Sequence, residues 1–91
     1  MARSTHHPSY QTLLTLLRDL RERAGFTQLA LAESLGNTQT FISKIERGER
    51  RIDVVEFIEI CDALGVDPFA ALREYVKRRS LLGRKGRKLA R

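Results

Sequence analysis

A single cysteine, Cys61, among 91 residues excludes an intramolecular disulfide and a multi-cysteine metal site, and it fits a reducing compartment. No apolar run approaches the ~20 residues that a membrane-spanning helix needs. The opening segment, MARSTHHPSY, lacks the apolar region of a secretory signal, so none is expected. Strand signals are scarce too. The only β-branched cluster, Ile52-Asp53-Val54-Val55, lacks alternation and runs into a helical pattern. No Ser/His/Asp set, carboxylate pair or phosphate-cradling glycine loop stands at a useful spacing. An enzyme is therefore not expected, and neither is a cofactor. His6 and His7 have no other His and no nearby Cys to complete a metal site, so no metal is expected. The length suits one small domain with no room for a separate effector domain, which argues against ligand sensing.

Charge is present in quantity but unevenly. The chain carries a net +6, yet residues 77–91 alone hold eight cations and no acid: Lys77, Arg78, Arg79, Arg84, Lys85, Arg87, Lys88 and Arg91. Residues 1–76 are left with nine cations against eleven acids, a net −2. Bulk charge therefore says little about a polyanionic partner, and the positions of individual cations must decide.

Apolar spacing and caps predict an all-α chain of five helices. The first runs from about Ser9, its N-cap, to Ala24, with Leu13, Leu17, Leu20 and Ala24 on one face and Gly25 as the stop. The second runs from Gln28 to Leu35 behind Thr27, with Leu31, Ala32 and Leu35 inward. The third runs from Gln39 to Arg47 behind Thr38, with Ile42 and Ile45 buried and Gly48 at its end. The fourth spans Asp53 to Leu64, on the repeat Val54, Phe57, Ile58, Cys61, Leu64, in which Cys61 reads as a small core residue. The fifth opens at Asp67-Pro68, carries Phe69, Leu72 and Val76 inward, and frays after Arg79. Leu16, Val55 and Ile60 fall off these stripes and are expected at the surface. The organisation expected is a flexible arm over residues 1–8, a domain over 9–79 and a basic disordered tail over 80–91.

The informative stretch is Thr27 to Gly48, TQLALAESLGNTQTFISKIERG. Two short helices meet at a turn holding Gly36, where glycine takes a left-handed conformation at low cost. Ala32 is small enough for a close helix crossing. Ile42 and Ile45 pin the second of the pair, leaving Gln39, Thr40, Ser43, Lys44 and Arg47 to water. Gln can bind adenine through two hydrogen bonds, and Lys suits the guanine edge.

With Gln28, Ala32, Gly36, Gln39, Ile42-Ser43, Glu46 and Gly48 in register, followed by Ala63-Leu64-Gly65-Val66, the sequence resembles the phage-repressor/Cro-type (Xre) helix-turn-helix family from about Leu13 to Leu72. The resemblance implies a compact lambda-repressor-like domain and a sequence-specific transcription regulator. It implies that Gln39, Thr40, Ser43 and Lys44 face base edges. It implies that Gln28 and Thr38, at helix N-termini, and Arg47, Arg50 and Arg51 hold phosphates of double-stranded DNA. It further implies a structural ion pair between Arg21 and Glu46. Asn37, Leu29-Ala30 and Phe41 depart from the family pattern and leave base preference open; Phe41 could touch a thymine methyl.

One short helix covers few base pairs, so a homodimer is expected, with Val55, Phe69, Leu72, Tyr75 and Val76 supplying the interface and DNA half-sites one turn apart. The location expected is cytoplasmic and nucleoid-associated. The competing reading is an antitoxin or interaction module whose helix-turn-helix also serves a protein partner.

Overall fold

The computed structural model describes residues 7–86, with side chains described as far as Leu81. Five helices follow one another: α1 (Pro8–Arg23), α2 (Gln28–Ser34), α3 (Gln39–Glu46), α4 (Val54–Leu64) and α5 (Pro68–Gly86). No strand occurs among the described residues. Helix α1 begins one residue earlier than Ser9 suggests. His7 is its N-cap, with Nδ1 accepting from the Ser9 N–H at 3.0 Å, and Pro8 takes the first helical position, where its missing N–H is no loss. Thr27 and Thr38 cap α2 and α3 as expected, and Asp67 Oδ1 accepts from Phe69 N, whereas Asp53, expected as the first residue of α4, is its N-cap.

Helix α1 packs against both α3 and α5, so it is covered over a wide arc. Its buried side chains are Tyr10, Thr12, Leu14, Leu16, Leu17, Leu20 and Arg21, while Leu13 is half-buried and Ala24 exposed. The single stripe expected through Leu13 and Ala24 is thus turned by about one residue. Leu16, expected outside, is fully buried, and Ile60 of α4, also expected outside, is buried. Leu16, Ile42, Ile45 and Cys61 are the largest completely enclosed side chains, and burying an aliphatic side chain of this size stabilises by about 1.5–3 kcal/mol.

The outer helices depart further from expectation. On α4, Val54 and Ile58 lie exposed beside Val55, and the helix packs through Ile60, Cys61 and Leu64. On α5, Phe69, Leu72 and Val76 face solvent, Phe69 at 73 % exposure, and Ala71 with half-buried Tyr75 takes the inner positions. Helix α5 also runs past Arg79 to Gly86. Just before that point, Arg78 reaches Asp19 on α1 at 3.0 Å and Glu74 one turn back at 2.8 Å. The expected tail boundary at Ser80 falls within this helix, and residues 1–6 and 87–91 of the expected arm and tail lie outside the described residues.

Candidate nucleic-acid interface

The geometry of the α2–α3 pair is set by its turn. Gly36 takes φ 68°, and the Asn37 N–H returns to the carbonyl of Ala32 at 2.9 Å. Asn37, which departs from the family pattern, uses Oδ1 to accept from Thr38 N at 2.8 Å, so its polarity closes the turn locally. Ala32 is completely buried, and Ile42 and Ile45 hold α3 down from its inner side. On the opposite side Gln39, Thr40, Lys44 and Arg47 are exposed and Ser43 is half-buried. Five of the nine residues expected to contact DNA therefore share one polar face.

What orients that face is a carboxylate. The Glu46 side chain is only 4 % exposed and accepts from Arg21 Nε at 2.7 Å, Arg21 Nη2 at 3.1 Å and Gln28 Nε2 at 2.9 Å. Arg21 Nη1 continues to the carbonyl of Phe26 at 2.8 Å. One acid on α3 thus holds α1, the α1–α2 loop and the start of α2 together. The hydrogen bond from Arg21 to Glu46 raises the arginine's pKa further, against the opposing effect of burial. Sequence reasoning found this pair but missed Arg18, whose half-exposed guanidinium approaches the same carboxylate at 3.8 Å. Arg18 stands three residues before Arg21 and so shares its helical side, a spacing that could have suggested it.

From Glu46 the network reaches the surface. Gln28 gives one amide proton to Glu46 and accepts from Gln39 Nε2 at 3.4 Å. Thr38 Oγ1 accepts from Phe41 N at 3.2 Å.

The three arginines behind α3 all have partners within the chain. Arg47 donates from Nε and Nη2 to the two oxygens of Glu49 at 2.9 and 3.1 Å, and from Nη1 to Ser43 Oγ. Arg47 in turn holds the Glu49 carboxyl below its usual range. Arg50 forms a second fork to Glu56, 3.0 and 2.8 Å, reaches the carbonyl of Arg51 at 3.1 Å, and lies 4.7 Å over the Phe41 ring. Phe41 is therefore covered on one side by a guanidinium. Glu56 also accepts from Asp53 N at 3.1 Å, completing a capping box that the sequence reading overlooked although the Asp53-to-Glu56 spacing displays it. Arg51 lies 4.7 Å over the ring of Tyr10, whose hydroxyl accepts from Ile52 N at 3.1 Å.

The residues expected at a dimer interface lie away from α3. Val55, Phe69, Leu72 and Val76 are exposed, whereas Tyr75 is half-buried and donates its hydroxyl to the carbonyl of Ser9 at 3.0 Å. A groove of about 270 Å³ runs between Tyr10, Leu13, Val54, Phe57, Leu72 and Tyr75. Cys61 is buried in the core, and burial pushes its thiol up to about 11, far from a reactive thiolate. No helix among the described residues is long and apolar enough to cross a membrane.

A helix-turn-helix family model matches residues 17–69 of the chain. Among solved structures, an XRE-family like protein from Pseudomonas syringae pv. tomato str. DC3000 is 45% identical and superposes with a TM-score of 0.76, covering 84% of this chain and 93% of that one. The clp gene regulator ClgR from Corynebacterium glutamicum is 26% identical with a TM-score of 0.72, covering 84% of this chain and 81% of that one. Among curated proteins none matches.

Proposed function

Because the chain belongs to the Xre-type helix-turn-helix family of DNA-binding transcription regulators, we propose that it reads operator half-sites as a homodimer. One observation carries the reading: α3 is pinned from within by Ile42, Ile45 and Glu46 while Gln39, Thr40 and Lys44 remain open to solvent on its other side. A rigid helix with a short polar outer face suits the major groove.

In this reading Gln39, Thr40, Ser43 and Lys44 meet base edges, Gln and Lys through the adenine and guanine patterns respectively. Gln28 has a second amide proton beyond the one given to Glu46, and Thr38 keeps its hydroxyl proton while its oxygen caps α3. Both can therefore donate to a phosphate without breaking the network that positions α3. Arg47, Arg50 and Arg51 flank the groove as phosphate contacts. Two copies meet through Val55, Phe69, Leu72 and Val76, with Tyr75 supporting α5 from behind, and their recognition helices reach successive major grooves about 34 Å apart. Such a protein works in the cytoplasm, associated with the nucleoid.

Selection of binding sites from a random duplex pool, followed by footprinting, tests the proposal. Enriched sites should be two-fold related, with half-sites one helical turn apart. A pool that shows no enrichment, or a monomer protecting one half-site, would overturn it.

A further inference from the structure

The loop that follows α3 places the Glu49 carboxylate between the cations Arg47, Arg50 and Arg51, with Lys44 on the last turn of α3. Its backbone N–H donates to the carbonyl of Lys44 at 2.8 Å, which folds the loop back over the end of α3. Its side chain takes the Nε and Nη2 edge of Arg47 in a two-point fork, with both partners about half exposed at 52 and 53 %. A DNA phosphate presents two oxygens to that same edge in the same fork geometry. Arg47 cannot give this edge to both anions. A phosphate that took it would also come to rest beside a carboxylate fixed by the loop.

We propose that Glu49 is an internal competitor of the DNA backbone for Arg47, which holds down the affinity of the recognition face for duplexes of any sequence. The inference rests on the reading of α3 as the DNA-reading helix. Glu56 does not share this role. Its fork to Arg50 is combined with the capping box of α4, so it maintains the fold. Glu49 makes its structural bond through the backbone, and its side chain is free to exchange partners. Because a phosphate contact carries no sequence information, the carboxylate weakens operator and arbitrary duplex alike and leaves base preference to Gln39 and Lys44.

The test is binding of full-length wild type, Glu49→Gln, Asp62→Asn and Arg47→Ala, with the Arg47→Ala/Glu49→Gln double variant, to a fluorescent duplex of mixed sequence at fixed salt. Circular dichroism checks the fold of each. Glu49→Gln should bind about twofold to fivefold more tightly, the range in which one exposed ion pair acts. Asp62→Asn, which removes the same charge from exposed α4, should gain clearly less. In the Arg47→Ala background the gain from Glu49→Gln should fall to that of Asp62→Asn, the effect of charge alone. Equal or weaker binding by Glu49→Gln, a matching gain from Asp62→Asn, or a gain undiminished by the loss of Arg47 would each overturn the proposal. A folded wild type that binds no duplex would overturn the DNA reading itself, and the competitor role with it.

Discussion

Gln28 at the start of α2 and Gln39 at the start of α3 are joined across the turn by a hydrogen bond from Gln39 Nε2 to Gln28 Oε1, 3.4 Å long. Gln28 is held in turn by Glu46. The Gln39 amide, proposed to read a base, is therefore oriented by a neighbour that is itself anchored to a buried carboxylate. Gln39→Ala and Lys44→Ala should each change which bases are tolerated, at about 1–3 kcal/mol per half-site. Gln28→Ala should weaken binding and also blur the preference set by Gln39. Site selection repeated with each variant measures this, and an unchanged consensus for Gln39→Ala would place the amide away from the groove.

Arg21→Ala should act through stability. It strands Glu46, a carboxylate with 4 % of its side chain exposed, and frees the Phe26 carbonyl. Breaking a buried pair in this way costs about 3–5 kcal/mol, and the loss should fall toward the lower end because Gln28 and Arg18 still face Glu46. Such a loss is a large part of the total stability of a small domain. Thermal melts of Arg21→Ala that match the wild type would remove the pair from the list of structural ties.

These two networks mark how far the sequence could be read. The α2–turn–α3 unit was legible because its signals are local: Thr27 and Thr38 as caps, Gly36 at the turn, Ile42 and Ile45 three apart. Arg21–Glu46 was legible only through the family register, since the residues lie 25 positions apart. Leu16 and Ile60 were misplaced because α1 and α4 are each covered on more than one side. A single apolar stripe underestimates the buried arc of such a helix. The exposed side chains Val54, Phe69 and Val76 were assigned inward for the opposite reason: apolar spacing cannot distinguish a core from a surface that another chain covers. The stacking of Arg51 on Tyr10 and the bond from Ile52 N to the Tyr10 hydroxyl join residues about forty positions apart and have no local signature.

That outward apolar set makes a direct prediction. Phe69→Glu places a charge on a side chain already 73 % exposed, so the monomer should remain folded. A charge inside an apolar interface is costly to desolvate, so self-association should weaken at least tenfold and operator affinity should fall with it. Sedimentation over a concentration series measures the first effect. If Phe69→Glu dimerises as the wild type does, the interface lies elsewhere.

Glu74 gives the chain an acid-sensitive tie. Arg23 at 2.9 Å on α1, and then Arg78 at 2.8 Å, hold its carboxyl down to about 2 from an ordinary 4.5. A depressed carboxylate stabilises the fold above its unfolded value, and that contribution is lost as pH falls through the folded value. Here the window runs from about 4.5 down to about 2. The partners are partly exposed, so screening reduces the effect. Wild type should lose more stability than Glu74→Gln between pH 5 and pH 2, and the gap between their melting temperatures should narrow as the pH falls. Parallel pH profiles for the two proteins would show that the pairings contribute nothing to stability.

The last prediction concerns the cations beyond the described side chains. A chain ending at Leu81 loses Arg84, Lys85, Arg87, Lys88 and Arg91, five cations, and its formal charge falls from +6 to +1. If these cations contact phosphates in the complex, each adds roughly 0.9 to the steepness of log affinity against log salt without carrying sequence information. Truncation should then lower operator and scrambled-duplex affinity together, flatten both salt slopes and slow association at low salt. The α2–α3 pair proposed to meet the bases is untouched, and so are the α1–α5 ties of Arg23 and Arg78. The selected consensus should therefore stay the same. Titrations of both chains against both duplexes over a salt series decide the matter. Unchanged slopes would show that the five cations do not reach DNA, and a shifted consensus would show that they do more than supply charge.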